Sequence, residues 1–128
     1  KLGLAAADDL AGQGIQCAVL HCPTIKPLDV DAILDWAASV RSIVTVEEHT
    51  IIGGLGSALA EIIAESGFDP AKRFKRIGIP DVFPDQYGSQ DSLMEHFSIN
   101  SKTITTTVLE LTEKRRAQDH QVFTDTRN

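Results

Sequence analysis

The stretch SIVTVEEHTIIGGLGSALAEIIAESG, residues 42–67, decides the fold of this chain. It opens on the β-branched run IVTV, a composition typical of a strand that is buried on both faces. Three polar residues follow, Glu47, Glu48 and His49, then a glycine-rich turn, and from about Ser57 a helical apolar period. Strand, polar turn and helix make the unit of parallel α/β sheets, which meet ligands and partners at the carboxyl ends of their strands. We therefore expect Glu47, Glu48 and His49 at that edge.

The same unit predicts part of the core. Leu55, Leu59 and Ile62 fall on one stripe of the helix, so Ile62 should pack against the sheet. Val44 and Val46 should be nearly fully buried on the central strand.

The remaining segments alternate between helical and extended patterns. Helices are predicted over residues 2–11, from the N-cap Asp29 onward, from the cap Ser89 to Phe97, and over residues 99–111. Strands are predicted over residues 15–22 and 75–79, the latter an edge strand that is solvated on one face. Four threonines at residues 103 and 105–107 leave a strand open for residues 99–111, although the apolar stripe favours a helix. This alternation predicts a three-layer α/β domain.

Composition excludes several functional classes. The net charge of -6 argues against a nucleic-acid footprint, and few aromatic residues are present to stack on bases. No apolar run approaches the ~20 residues that cross a bilayer, and no signal peptide is visible. Cys17 and Cys22 fall on opposite faces of the predicted strand, which indicates two free thiols in a reducing cytoplasm.

The glycine-rich turn leaves two interpretations open. It fails as a dinucleotide fingerprint because Leu59 stands where a third glycine is required, and no Walker lysine follows. The N–H groups of Gly56, Ser57 and Ala58 could hold an anion at the helix N-terminus. Alternatively, the turn needs glycine so that the helix can pack closely on the sheet. The turn glycines are Gly53, Gly54 and Gly56.

The polar triplet also has two interpretations. On a strand, Glu47 and His49 share one side and Glu48 takes the other, which is too few ligands for a closed metal site. The triplet is then either an acid/base group or, as we favour, a set of side chains that bond neighbouring loops or subunits. His21 would lie at the same edge if the strands are parallel. Trp36 lies off the apolar stripe of its helix, as a packing residue or an interface anchor.

Four motifs in order carry a family resemblance: TIKPLD at 24–29, TVEEH at 45–49, GGLGS at 53–57 and IGIPD at 77–81. Together they closely resemble the C-terminal domain of transketolases, above all the separately encoded C-terminal subunit of split transketolases. The resemblance covers roughly residues 4–111. It implies an α/β/α sandwich with a mostly parallel five-stranded sheet and one antiparallel edge strand, the first strand preceding Lys1. We expect one domain over residues 1–111 and a polar tail over residues 112–128.

The resemblance also implies a function. Transketolases use thiamine diphosphate and Mg²⁺ to move two-carbon ketol units between sugar phosphates, and both groups belong to the other two domains. This domain would then bind no cofactor or metal, carry no catalytic residue and serve assembly or regulation. The implied partners are the N-terminal transketolase domains or subunit, within a homodimer and without nucleic acid or membrane.

Three alternatives stay open. Deoxyxylulose-phosphate synthases and the β subunits of 2-oxo acid dehydrogenases share this domain, although His49 and the TIKPLD segment favour transketolase. A free-standing anion-binding α/β module at the Gly56 helix start would show the same local pattern. The loop over residues 82–88, rich in aromatic and acidic side chains, has no assigned role.

Overall fold

The computed structural model describes residues 1–83, 85 and 87–125, with side chains up to Glu113. The chain order is helix, helix, strand, helix, strand, helix, helix. The elements are α1 Leu2–Ala11, α2 Val30–Ala38, β1 Ser42–Thr50, α3 Leu55–Glu65, β2 Arg73–Ile79, α4 Gln90–His96 and α5 Ser101–Asp125. Among the described residues, no helix is both long and apolar enough to span a membrane.

The two strands pair in parallel. Their register runs from Ser42 beside Arg73 to Val46 beside Ile77, and it becomes irregular before Thr50 pairs with Ile79. Beyond the strand end, the Ile51 N–H donates to the Ile79 carbonyl at 2.8 Å. The crossover between them is α3, as the strand–turn–helix pattern predicts.

Helices cover both faces of the sheet, so the α/β/α sandwich is confirmed. Because side chains alternate along a strand, neighbouring residues of β1 serve different layers. Ile43 packs with α2 and α3 around one buried cluster, and Val44 packs with α1 and α5 around the other. The first cluster is Ile33, Ala37, Leu59 and Ile63, and the second is Ala6, Ile77 and Ile104.

Local capping explains where three helices begin. The Asp29 carboxylate accepts a hydrogen bond from the Ala32 N–H at 3.0 Å, and the Ser89 hydroxyl accepts one from Ser92 at 3.3 Å. Asn100 caps α5 by accepting from the Thr103 N–H at 2.9 Å. These contacts confirm the predicted caps at Asp29 and Ser89, and α5 is a helix despite its threonines. It extends beyond residue 111, the expected domain end, to Asp125.

The strand predicted over residues 15–22 is wrong. No strand pairing is formed there, and Val19 and Leu20 are 48% and 42% exposed. A β-rich composition becomes a strand only when a neighbouring strand supplies hydrogen-bond partners, and the described sheet consists of β1 and β2 alone. The described sheet thus holds two of the five strands that the resemblance implies, and no antiparallel edge strand is among the described elements.

The predicted packing of α3 is confirmed. Ile62 is partly buried and packs against the first buried cluster, to which Leu59 and Ile63, each 8% exposed, belong. Val44 and Val46 are partly rather than nearly fully buried, because α1 and α5 cover their face of the sheet incompletely.

Truncation of Ile63 to alanine should lower the free energy of unfolding by about 2–5 kcal/mol, through lost transfer energy and the cavity left behind. Glu61→Ala is the matched control, since Glu61 is exposed on the same helix and its loss should stay within about 0.5 kcal/mol. Urea denaturation monitored by circular dichroism measures both values. Equal losses in the two variants would contradict the assignment of α3 to the core layer.

Candidate functional site

The polar triplet lies inside β1 and not in a turn after it. The strand continues to Thr50, so the predicted strand end before Glu47 is wrong: pairing with β2 resumes at Ile79 and extends the ladder. The expected alternation of side chains is nevertheless present. Glu47 and His49 both approach Gly54 at the start of α3, and Glu48 accepts a hydrogen bond from Gln90 of α4. The strand thus presents one carboxylate to each flanking layer.

Glu47 caps helix α3 from a distance of eight residues in sequence. Its Oε2 accepts from the Leu55 N–H at 2.8 Å, and its Oε1 accepts from the Gly56 N–H at 2.9 Å. The first N–H groups of a helix have no partner within the helix, and the helix dipole favours negative charge there. The half-buried carboxylate of Glu47 supplies both the acceptors and the charge.

This contact bears on the anion-site interpretation. Two of the donors at the start of α3 are already engaged by Glu47, and the Ala58 N–H donates to the Gly54 carbonyl at 3.1 Å. An external anion would have to displace the chain's own carboxylate. The geometry therefore favours the second interpretation, a turn built for close packing.

Close packing is visible at Gly56, which is buried against the sheet. A β-carbon there would lie 2.7 Å from Thr45 Oγ1 and 2.8 Å from Arg76 Cγ, and so would collide with both strands. A β-carbon on Gly54 would collide with the Glu47 carboxylate. Gly53 has φ +75°, a left-handed conformation that glycine adopts without strain. Each turn glycine thus has a structural reason.

Arg76 fastens the turn to the second strand. Its Nη1 donates to the Ile51 carbonyl at 2.6 Å and to the Ser57 hydroxyl at 3.0 Å. Ser57 also donates to the Ile51 carbonyl at 2.9 Å and accepts from the Gly53 N–H at 3.0 Å. Sequence reasoning placed Arg76 on a solvated face and missed this role. The register that pairs Arg76 with Thr45 puts it under the turn, and no local pattern reveals that register.

Three exposed residues near the end of β1 could contact a partner, and they differ in chemistry: one is a histidine, one is apolar and one is a carboxylate. His49 is exposed and its Nδ1 lies 3.0 Å from the Thr50 carbonyl. Because a carbonyl oxygen only accepts, Nδ1 is the donor of this contact. Ile52, 53% exposed, is the apolar element, and the exposed carboxylate of Glu48 is the charged one. We call Glu48, His49 and Ile52 the polar edge.

The other candidate residues from the sequence do not join the polar edge. His21 lies exposed in the segment without strand structure, and no contact joins it to His49 within the part of the chain that the structure describes. The same described residues contain no cluster of three or more potential metal ligands. Trp36 is 50% exposed on α2.

Both cysteines are free thiols. Burial raises the pKa of Cys17, and burial together with the nearby Asp29 carboxylate raises the pKa of Cys22. A raised pKa keeps a thiol protonated at neutral pH, and the thiolate is the nucleophile. Neither residue is therefore activated for nucleophilic chemistry.

The fold and its polar edge define an α/β domain built on a parallel strand–helix–strand unit, with the start of the crossover helix held by a strand carboxylate. The family model described as transketolase, C-terminal domain, matches residues 1–104. The chain belongs to this family, as the four sequence motifs indicate.

Two curated relatives show the breadth of the similarity. The chain is 41% identical over 112 residues to a 6-deoxy-6-sulfo-D-fructose transketolase subunit, SqwH, of Clostridium sp. (strain MSTE9). It is 39% identical over 113 residues to a 1-deoxy-D-xylulose-5-phosphate synthase of Heliobacterium modesticaldum. Each match covers 88% of this chain, but only 34% and 17% of the respective relative. The chain therefore spans about a third or less of these proteins.

A solved structure agrees with the fold. A split-gene transketolase described as an inactive β4 tetramer superposes with a TM-score of 0.74 at 30% sequence identity. The superposition covers 84% of this chain and 34% of that one.

Replacing Glu47 with alanine should lower the free energy of unfolding by about 1–3 kcal/mol, because two helix N–H groups lose a charged acceptor in a half-buried site. Glu48→Ala is the matched control, since it removes the adjacent but exposed carboxylate and should cost at most about 0.5 kcal/mol. Chemical denaturation of both variants gives the comparison. A Glu47 loss no larger than that of Glu48 would show that the cap contributes nothing measurable.

Proposed function

We propose that this chain is the C-terminal part of a transketolase-like thiamine-diphosphate enzyme that transfers two-carbon ketol units between sugar phosphates. Its role in that enzyme is assembly with the part that carries the cofactor, within a cytoplasmic homodimer. The chain itself carries out no catalytic step. The observation that carries the proposal is the use of Glu47. The strand carboxylate best placed for acid/base work is bound to two backbone N–H groups, while exposed groups beside it face outward.

The start of α3 does not suit thiamine diphosphate. The start of α3 would be the natural cradle for a diphosphate, yet its donors at Leu55 and Gly56 hold the Glu47 carboxylate. A diphosphate would also meet that negative charge directly. We therefore assign the cofactor and its Mg²⁺ to the rest of the enzyme, and no catalytic step to this chain.

The relatives support an assembly role in different ways. The split-gene transketolase of similar fold is described as a tetramer of β chains that is inactive. A chain of this kind that associates but does not catalyse is what the proposal expects here. The relative named 1-deoxy-D-xylulose-5-phosphate synthase favours a second candidate, the same assembly role in such a synthase. Assays of the assembled enzyme for ketol transfer and for 1-deoxy-D-xylulose-5-phosphate formation distinguish the two.

The isolated chain should not bind thiamine diphosphate with Mg²⁺, because its helix-start donors are internally occupied. Isothermal titration calorimetry should give no heat of binding for the chain alone. The positive control is the cofactor-carrying transketolase part from the same organism, titrated in the presence of this chain. Micromolar affinity for the chain alone would overturn the assignment of the cofactor to the other part.

His49→Ala should weaken assembly with the cofactor-carrying part by about 1–2 kcal/mol, the cost of losing a hydrogen bond to the ring. Folding should stay nearly unchanged, since His49 is exposed. The control is His96→Ala, an exposed histidine at the end of α4. Sedimentation velocity with and without the partner measures assembly, and ketol-transfer assays at saturating partner measure turnover.

The two readouts separate assembly from chemistry. If His49→Ala leaves assembly intact while turnover falls about a hundredfold, the size of a lost general acid or base, the assembly role fails. If assembly weakens and turnover recovers at saturating partner, the polar edge is an assembly surface.

A further inference from the structure

We propose that the loop between β2 and α4 is a second contact with the same partner. In this contact Phe83 and Tyr87, with Val82, enter an apolar pocket that is bordered by lysine or arginine side chains. The inference rests on the proposed function for the identity of the partner, the cofactor-carrying part of the transketolase. The loop itself is argued from its own side chains, which neither the core nor the polar edge uses.

The exposure of these side chains points to a missing partner. Phe83 and Tyr87 are fully exposed, and Val82 is 53% exposed. Aromatic residues are enriched at the centres of protein interfaces. Tyr87 adds a hydroxyl that can remain at the wet rim while its ring is buried.

Each end of the loop carries a local hydrogen bond. At its start, the Val82 N–H donates to the Pro80 carbonyl at 2.8 Å. At its end, Ser89 caps α4, and the Ser92 hydroxyl donates back to the Ser89 carbonyl at 2.9 Å.

Charge indicates the chemistry of the partner. Asp81, Asp85 and Asp91 lie close to Phe83 and Tyr87 in sequence and are exposed. None of the three forms an ion pair with any residue that the structure describes, and the whole chain carries a net charge of -6. Complementary charges steer association and fix register, so a pocket rimmed with lysine or arginine suits this loop. A second copy of the chain would bring acidic groups against acidic groups, which disfavours a symmetric contact.

The surface area that an interface must bury indicates that the loop and the polar edge bind the same partner. Burying two aromatic side chains covers roughly 300–500 Å², since each contributes about 150–250 Å². A stable interface needs about 800 Å² on each partner, so the loop alone is too small. Gln90, the first residue of α4, donates to the Glu48 carboxylate and so connects the loop to the polar edge. One partner that covers both surfaces would bury more area than the loop alone.

The test removes the aromatic pair from the full chain with Phe83→Ser and Tyr87→Ser together. The probe is the cofactor-carrying transketolase part of the same organism, produced as a separate polypeptide. We expect the Kd for that part to rise at least tenfold, with the unfolding transition unchanged. Leu4→Ser is the matched control, because it removes a side chain that is 60% exposed on α1. Asp81→Asn with Asp85→Asn should lower the salt dependence of association.

The outcomes separate this inference from the proposed function. If the wild type binds the partner and the double serine variant binds it equally well, the loop contact is refuted while the assembly role stands. If the wild type does not bind the partner, both the loop contact and the assembly role are refuted. If the wild type self-associates and the double variant loses only that association, the loop belongs to a second copy and the inference is overturned.

Discussion

The interaction between Glu47 and the start of α3 is the constraint on which the rest of this edge depends. It joins the central strand to the crossover helix by two charged hydrogen bonds of 2.8 and 2.9 Å. The helix can reach the carboxylate only because Gly56 lets its backbone approach Thr45 and Arg76. A larger residue at Gly56 would lift the helix from the sheet and lengthen both bonds. The close packing of α3 on the sheet and the capping of α3 by Glu47 therefore depend on each other.

The parallel register adds the second restraint. Pairing Thr45 with Arg76 places the guanidinium beneath the turn, where it holds the Ile51 carbonyl and the Ser57 hydroxyl. The turn is therefore fixed from the strand on one side and from the helix on the other. Ile52 and His49 are displayed on backbone that is already ordered, and a partner that binds them has less conformational entropy to remove. An assembly surface at this edge would gain affinity from such preorganisation.

Local patterns predicted what local interactions determine. The caps at Asp29 and Ser89 and the strand–helix–strand unit follow from a few adjacent residues, and they are confirmed. The function of Glu47 and the position of Arg76 depend on backbone groups eight or more residues away, which a single sequence does not bring together. The strand prediction for residues 15–22 was wrong for the same reason, because the composition of a segment does not show whether a neighbouring strand pairs with it. For the candidate site, the sequence predicted that Glu47 and His49 share one side of β1. It did not predict the hydrogen-bond partners of these side chains.

The hydrogen bonds of Glu47 also support the proposal that this domain does not carry out the reaction. A general base needs a carboxylate that can take up a substrate proton, whereas this one accepts two hydrogen bonds that keep the helix on the sheet. The relatives named as a 6-deoxy-6-sulfo-D-fructose transketolase subunit and as a 1-deoxy-D-xylulose-5-phosphate synthase resemble the chain to similar degrees, at 41% and 39% identity. Features shared across two reactions do not select either substrate, and this supports a domain that organises the enzyme while another part performs the chemistry.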